Sequence, residues 1–106
     1  MSVTFYIANT REEVDHAKYG VYLEDEVHDY LWKNAKDVRH NLNLLIHLDP
    51  YDNKQFNVHE VKRLKRICEI LIKNYNELDI AQFSKELFAL CVEALKNDCL
   101  VYALGD

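Results

Sequence analysis

Hydrophobic and polar positions change period along this chain, and each change marks an element. In "SVTFYIA" (2–8) Val3, Phe5 and Ile7 alternate with other residues among β-branched and aromatic neighbours. That period of two predicts a strand. Thr10 and Glu13 then form a capping-box pattern for a short helix over 11–19, with Gly20 at the residue after its end. From Leu23 the apolar positions are Leu23, Val27, Tyr30, Leu31, Ala35, Val38, Leu42, Leu45 and Ile46. Steps of three, four and one trace a helical stripe from about 24 to 48. The stripe reads as one helix or as two, with Asp37 placed to cap the second.

The stretch "HLDPYDNKQFNVHEV" (47–61) breaks the period. Pro50 disfavours helical backbone at Asp49 and ends the preceding helix. A turn is expected through Tyr51–Gln55, with Asp49 and Asp52 accepting backbone N–H groups. Asn57 and Glu60 then make a capping box, and Phe56 and Val61 a hydrophobic staple across it. The stripe that follows is Val61, Leu64, Ile67, Cys68, Leu71, Ile72 and Tyr75. The same syntax recurs at "LDIAQF": Asp79 as cap, Gln82 reaching back, Leu78 and Phe83 as staple. Ile80, Phe83, Leu87, Leu90, Cys91, Ala94 and Leu95 continue a helix to about 97. "CLVYALGD" (99–106) is strand-like again, with Leu100, Tyr102 and Leu104 alternating.

These elements predict a single domain over 1–106. Its class is mostly α (α+β), with three to five helices and a small two-stranded sheet formed by the N- and C-terminal strands. An apolar fraction of 49% with 29% charged residues is ordinary for a folded domain of this length. No run of apolar residues reaches membrane-spanning length, and the first residues lack the basic-then-apolar pattern of a secretory signal. Three cysteines without close pairing read as reduced thiols. A cytoplasmic protein is expected.

Charge sharpens the picture. The net charge of −5 is unevenly distributed: residues 11–30 carry −5, residues 31–75 carry +4 and residues 76–106 carry −4. An acidic balance disfavours a general nucleic-acid binder, which needs excess Lys and Arg against phosphate. Glu24, Asp25, Glu26 and Asp29 have two readings. Acids favour the positive end of a helix dipole, and they also make a surface that attracts a basic partner. Trp32, beside them, reads as an aromatic anchor or as core packing against the terminal strands. The run "KRLKR" (62–66) reads best as a solvated helix face.

Catalytic and metal chemistry find little support. Asp49 and Glu60 stand at positions 1 and 12 of a calcium-loop spacing, with Asn53 at position 5. Tyr51 at position 3 and Lys54 at position 6, where the loop needs glycine, break the match. No two of the five histidines are spaced three or four apart as helical zinc ligands are. Asp49 and Asp52 lack further groups to make a carboxylate pair. No metal, cofactor or catalytic residue is expected.

One resemblance goes further. Asp49, Pro50, Tyr51, Asp52, Asn53, Phe56 and Asn57 at a helix–helix junction, with Val101, Tyr102, Ala103, Leu104, Gly105 and Asp106 at the end, resemble small bacterial immunity proteins of toxin–immunity loci. These include the immunity proteins of contact-dependent growth inhibition. The likeness covers about residues 42–72 and 99–106, and departs at Asp52, where many relatives have glycine. It implies a non-catalytic protein that binds one cognate toxin domain, 1:1, in the cytoplasm, with no direct nucleic-acid or membrane partner. Many such toxins are nucleases with basic clefts, which places Glu24, Asp25, Glu26, Asp29 and Trp32 on the expected partner surface. Asp49, Pro50, Asp52, Phe56, Asn57 and Glu60 are then structural, as turn and helix cap. The alternatives are an interaction or regulatory module for another protein, and a small enzyme with clustered Asp49, Asp52 and a histidine.

Overall fold

The computed structural model describes residues 3–8, 20–34, 43–46, 48 and 52–105. The expected helix 11–19 with its Thr10 cap, the turn residues Asp49 and Pro50, and the proposed break near Asp37 lie outside the described residues. Eight elements are described: strand β1 (Val3–Ala8), strand β2 (Val21–Leu23), helix α1 (Asp25–Asn34), the helical turn α2 (Asn43–Ile46), strand β3 (Asn53–Phe56), helix α3 (Val58–Asn74), helix α4 (Leu78–Lys96) and strand β4 (Leu100–Gly105). No described helix is long and apolar enough to cross a membrane.

The class is α+β, as expected, and the terminal strands do pair. β1 and β4 run antiparallel in a six-residue register from Val3 opposite Gly105 to Ala8 opposite Leu100. The sheet, however, has four strands in the order β2-β1-β4-β3, not two. β2 adds to the free edge of β1, with Phe5 opposite Val21 and Val3 opposite Leu23. β3 adds to the free edge of β4, with Phe56 opposite Val101 and Asn53 opposite Leu104.

Both added strands replace other expectations. Leu23 was expected to open a helical stripe; in β2 it and Val21 are buried while Tyr22 points outward. Residues 53–55 were expected to turn, and they form an edge strand instead. Asn, Lys and Gln are poor strand formers, but the whole propensity scale spans only about 1 kcal/mol. Burying Phe56 contributes roughly 1.5–3 kcal/mol, and Phe56 is fully buried. The Gly105 N–H anchors the far end, donating to the Asp52 carbonyl at 3.0 Å and to Asn53 Oδ1 at 3.2 Å. Asp52 does accept a backbone N–H as expected, from Asn53 at 2.8 Å.

One face of the sheet takes the helices. Val3, Phe5, Val21, Leu23, Phe56, Val101 and Ala103 join the buried stripes of the helices in a single core. At its centre Phe5 lies 6.2 Å from Phe56 and 6.2 Å from Phe83, ring centre to ring centre, in tilted contacts. Phe5 and Phe56 sit on strands separated by β4, and the residue of β4 opposite Phe5 is the small Ala103. The alternating Leu100, Tyr102 and Leu104 occupy the other face, in a smaller cluster with Tyr6 and Ala8. Gly20 enters this face: a Cβ there would stand 2.8 Å from both Thr4 Cγ2 and Tyr6 Cε1. No glycine has a positive φ, so Gly20 provides close approach rather than the left-handed helix end expected from sequence.

The α3 cap forms as read. Asn57 Oδ1 accepts the Glu60 N–H at 2.9 Å, and Glu60 accepts the Asn57 N–H at 3.1 Å. Phe56 and Val61 are both fully buried on either side of it. Lys54 reaches from β3 to Glu60 at 2.9 Å, so the strand and the helix share one charge-assisted contact. The α4 cap does not form as read. Glu77 is the N-cap and makes no side-chain cap bond. With Ile80 in the core, Leu78 two residues earlier must point away from it, and Leu78 is 80% exposed. The expected Asp79 cap and Leu78–Phe83 staple are therefore absent. At its other end α4 closes with Asp98 in the left-handed region (φ 55) and the Cys99 N–H bonded to Ala94 O at 2.8 Å. This is the outer bond of a Schellman end, made here without glycine.

Among the buried side chains of the described residues, the Ser84 hydroxyl has no hydrogen-bond partner. Cys68 and Cys91 are free and buried in the core. Burial pushes the Cys68 thiol strongly up and the Cys91 thiol to about 12, so neither offers a thiolate.

Two measurements check this account. Asn57→Ala removes the α3 cap and lowers unfolding stability by about 1 kcal/mol in urea titration, with an unchanged slope. The Lys54 ammonium and then the Asn57 N–H hold the Glu60 carboxyl below its usual range, against partial burial. The unfolded chain therefore binds a proton at Glu60 before the folded one does. Stability from this group is present above the ordinary carboxylate pKa and is lost as pH falls through the folded value. The stability difference between wild type and Glu60→Gln accordingly shrinks as titrations move from neutral pH into the acid range.

Candidate functional site: an acidic groove between two helix starts

Helix α1 is anchored by Val27 and Leu31, both buried, one turn apart. Its first turn carries Asp25 and Glu26 near the positive end of the dipole. The Glu24 carbonyl accepts the His28 N–H at 3.0 Å, which starts the helix. From its far half Tyr30 reaches the start of α4, donating its hydroxyl to Glu77 Oε1 at 2.8 Å. The Tyr30 ring also meets Tyr75 edge-on at 6.4 Å. This bond holds the Glu77 carboxyl below the usual range and raises the Tyr30 phenol.

Between the starts of α1 and α4 lies a groove made of two neighbouring cavities. The larger, about 260 Å³, is lined by Tyr22, Glu24, Val27, Asp79, Gln82, Phe83 and Glu86. The smaller, about 180 Å³, has Glu26, Tyr30, Glu77 and Ile80 and shares Val27 and Asp79 with the first. The floor is apolar and the rim is carboxylate. Five acids, Glu24, Glu26, Glu77, Asp79 and Glu86, stand around it, and none of the described lining residues is basic. Tyr22, 57% exposed, forms an aromatic wall.

The acidic cluster read from sequence is divided by helix geometry. Glu24 and Glu26 line the groove. Asp29 does not; it pairs with Lys33 at 3.2 Å, both about two-thirds exposed, where such a pair contributes little. Asp25 and Trp32 are seven residues apart, on one side of α1, and neither lines the groove. Trp32 is 44% exposed, which sets aside its reading as a core residue. Asp52, Phe56, Asn57 and Glu60 serve the β3–α3 junction in the way described above.

Glu77, Asp79, Glu86 and Tyr22 were not anticipated. The signal for four of the groove residues was nonetheless present. Asp79, Gln82, Phe83 and Glu86 follow i, i+3, i+4, i+7 spacing, one stripe of a helix. The partner segment was also marked, since 11–30 and 76–106 are the two acidic parts of the chain.

Other chemistry is not assembled. Among the described residues no group of three or more His, Cys, Asp or Glu is arranged to hold a metal ion. His28 and His59 are described, and the remaining histidines lie outside the described residues. Helix α3 exposes Lys62, Arg63, Arg66 and Lys73, with Arg66 3.5 Å from Glu69. In comparisons with known proteins, no family model, curated sequence or solved structure matches the chain.

Tyr30→Phe tests the link between α1 and α4. Without the phenol hydrogen bond, the Glu77 carboxyl titrates at a higher pH than in wild type, read by carboxyl-carbon NMR.

Proposed function

We propose that this chain is an immunity protein that binds and neutralises a cognate bacterial toxin domain by covering its active site. The reading rests on the resemblance at residues 49–57 and 101–106, and on one observation above all. Two acidic segments far apart in sequence meet in one groove with an apolar floor. Such a groove suits a basic protein surface. Its carboxylates steer encounter, and a desolvated contact on the exposed Tyr22 slows release. A nuclease cleft, basic because it binds phosphate, is the partner surface that fits best. Occlusion of this kind needs no catalytic residue and no cofactor, and it takes place in the cytoplasm as a 1:1 pairing of chain and toxin domain.

Co-expression with the product of the neighbouring gene tests the function. Rescue from toxicity and a co-purifying complex are expected; a non-toxic neighbour, or toxicity without rescue, would sink the reading. The site is tested separately. Reversing Glu24, Glu26, Asp79 and Glu86 to lysine weakens toxin binding well over tenfold, with a lower association rate and reduced salt dependence. Reversing Asp25 and Asp29, away from the groove, has a much smaller effect in the same titration.

A further inference from the structure

Helix α4 is apolar on two sides. Its inner stripe, from Ile80 to Ala94, fills the core. A second set on the outside, Phe88, Ala89 and Val92, lines a shallow depression of about 500 Å³ with Glu93, Lys96 and Asn97. Val92 is 39% exposed and Ala89 is exposed, while Phe88 is half-buried under Lys65, whose Nζ lies 5.7 Å from the ring centre. Apolar side chains on the outer side of a helix, away from the core stripe, are ordinarily covered.

We propose that this face pairs two copies of the chain, α4 against α4 and antiparallel about Ala89. The charges on the face carry the argument. Lys85 stands four residues before Ala89 and Glu93 four after it. In an antiparallel pair centred on Ala89, each Lys85 therefore falls opposite Glu93 of the second copy, and symmetry makes the contact twice. Gln82 and Lys96, each seven residues from Ala89, fall opposite one another in the same way. A two-fold interface requires this self-complementarity, residue i meeting j and j meeting i. Ala89 at the axis lets the helices approach closely, and Phe88 and Val92 of both copies flank it. Lys85, Ala89, Val92 and Lys96 form an outer stripe of α4 to which the main groove residues Asp79 and Phe83 do not belong.

Sedimentation equilibrium of the full chain tests this. A reversible species of twice the 12.6 kDa chain mass is expected. Val92→Glu weakens it more than tenfold while circular dichroism stays unchanged. Lys85→Glu and Glu93→Lys each weaken it about threefold to tenfold, and the double reversal restores it. A chain still monomeric at about 1 mM overturns the proposal. So does a dimer insensitive to Val92→Glu, or one that the double reversal fails to restore.

Discussion

The antiparallel pairing of β1 with β4 is the contact on which the rest depends. It joins the first described strand to the last through six opposed pairs. Each partner then offers its other edge, and the chain fills those edges with β2 and β3, short strands that could not form alone. A pairing between opposite ends of the chain has the greatest loop-closure cost available to a domain of this length. The helical hairpin of α3 and α4 is local by comparison. Local helix formation followed by closure of the terminal strands is the order that topology favours.

The core translates this pairing into the geometry of the groove. Phe5 on β1 touches Phe56 across β4 and Phe83 above the sheet. Phe83 is also part of the groove floor. The same ring thus ties the hidden side of α4 to its groove side. Val27 does the equivalent for α1, since it is buried in the core cluster and lines both cavities. The Tyr30–Glu77 hydrogen bond ties the far half of α1 to the start of α4 at the rim. The groove is consequently built on regular elements fixed by packing rather than on a loop.

What the sequence made legible follows from the range of the signal. The capping box at Asn57 and Glu60 is local, and it forms. The alternation of Val3, Phe5 and Ile7 is local too, and β1 forms where expected. β2 and β3 have three and four residues, too short for a period to be seen, and each is strand only because a neighbour offers an unpaired edge. "LDIAQF" copied the syntax of a capped start, yet core demand at Ile80 set the helix phase and turned Leu78 out. The groove was half legible for the same reason. Glu24 and Glu26 lay in a visible acidic cluster, but only folding brings Asp79 and Glu86 beside them.

Helix electrostatics can account for part of this acidic rim, and the remainder is the informative part. Glu24 and Glu26 sit at the start of α1, and Asp79 lies in the first turn of α4. All three interact favourably with the positive ends of the dipoles, an effect confined to the first turn. Glu77 has a structural partner in Tyr30. Glu86 has neither explanation. It stands more than two turns into α4, beyond the reach of the dipole, and makes no ion pair among the described residues. It lines the same cavity as Glu24 and Asp79. The dipoles and the Tyr30 bond thus account for the acids at the two helix starts, and Glu86 is the lining carboxylate that neither of them reaches.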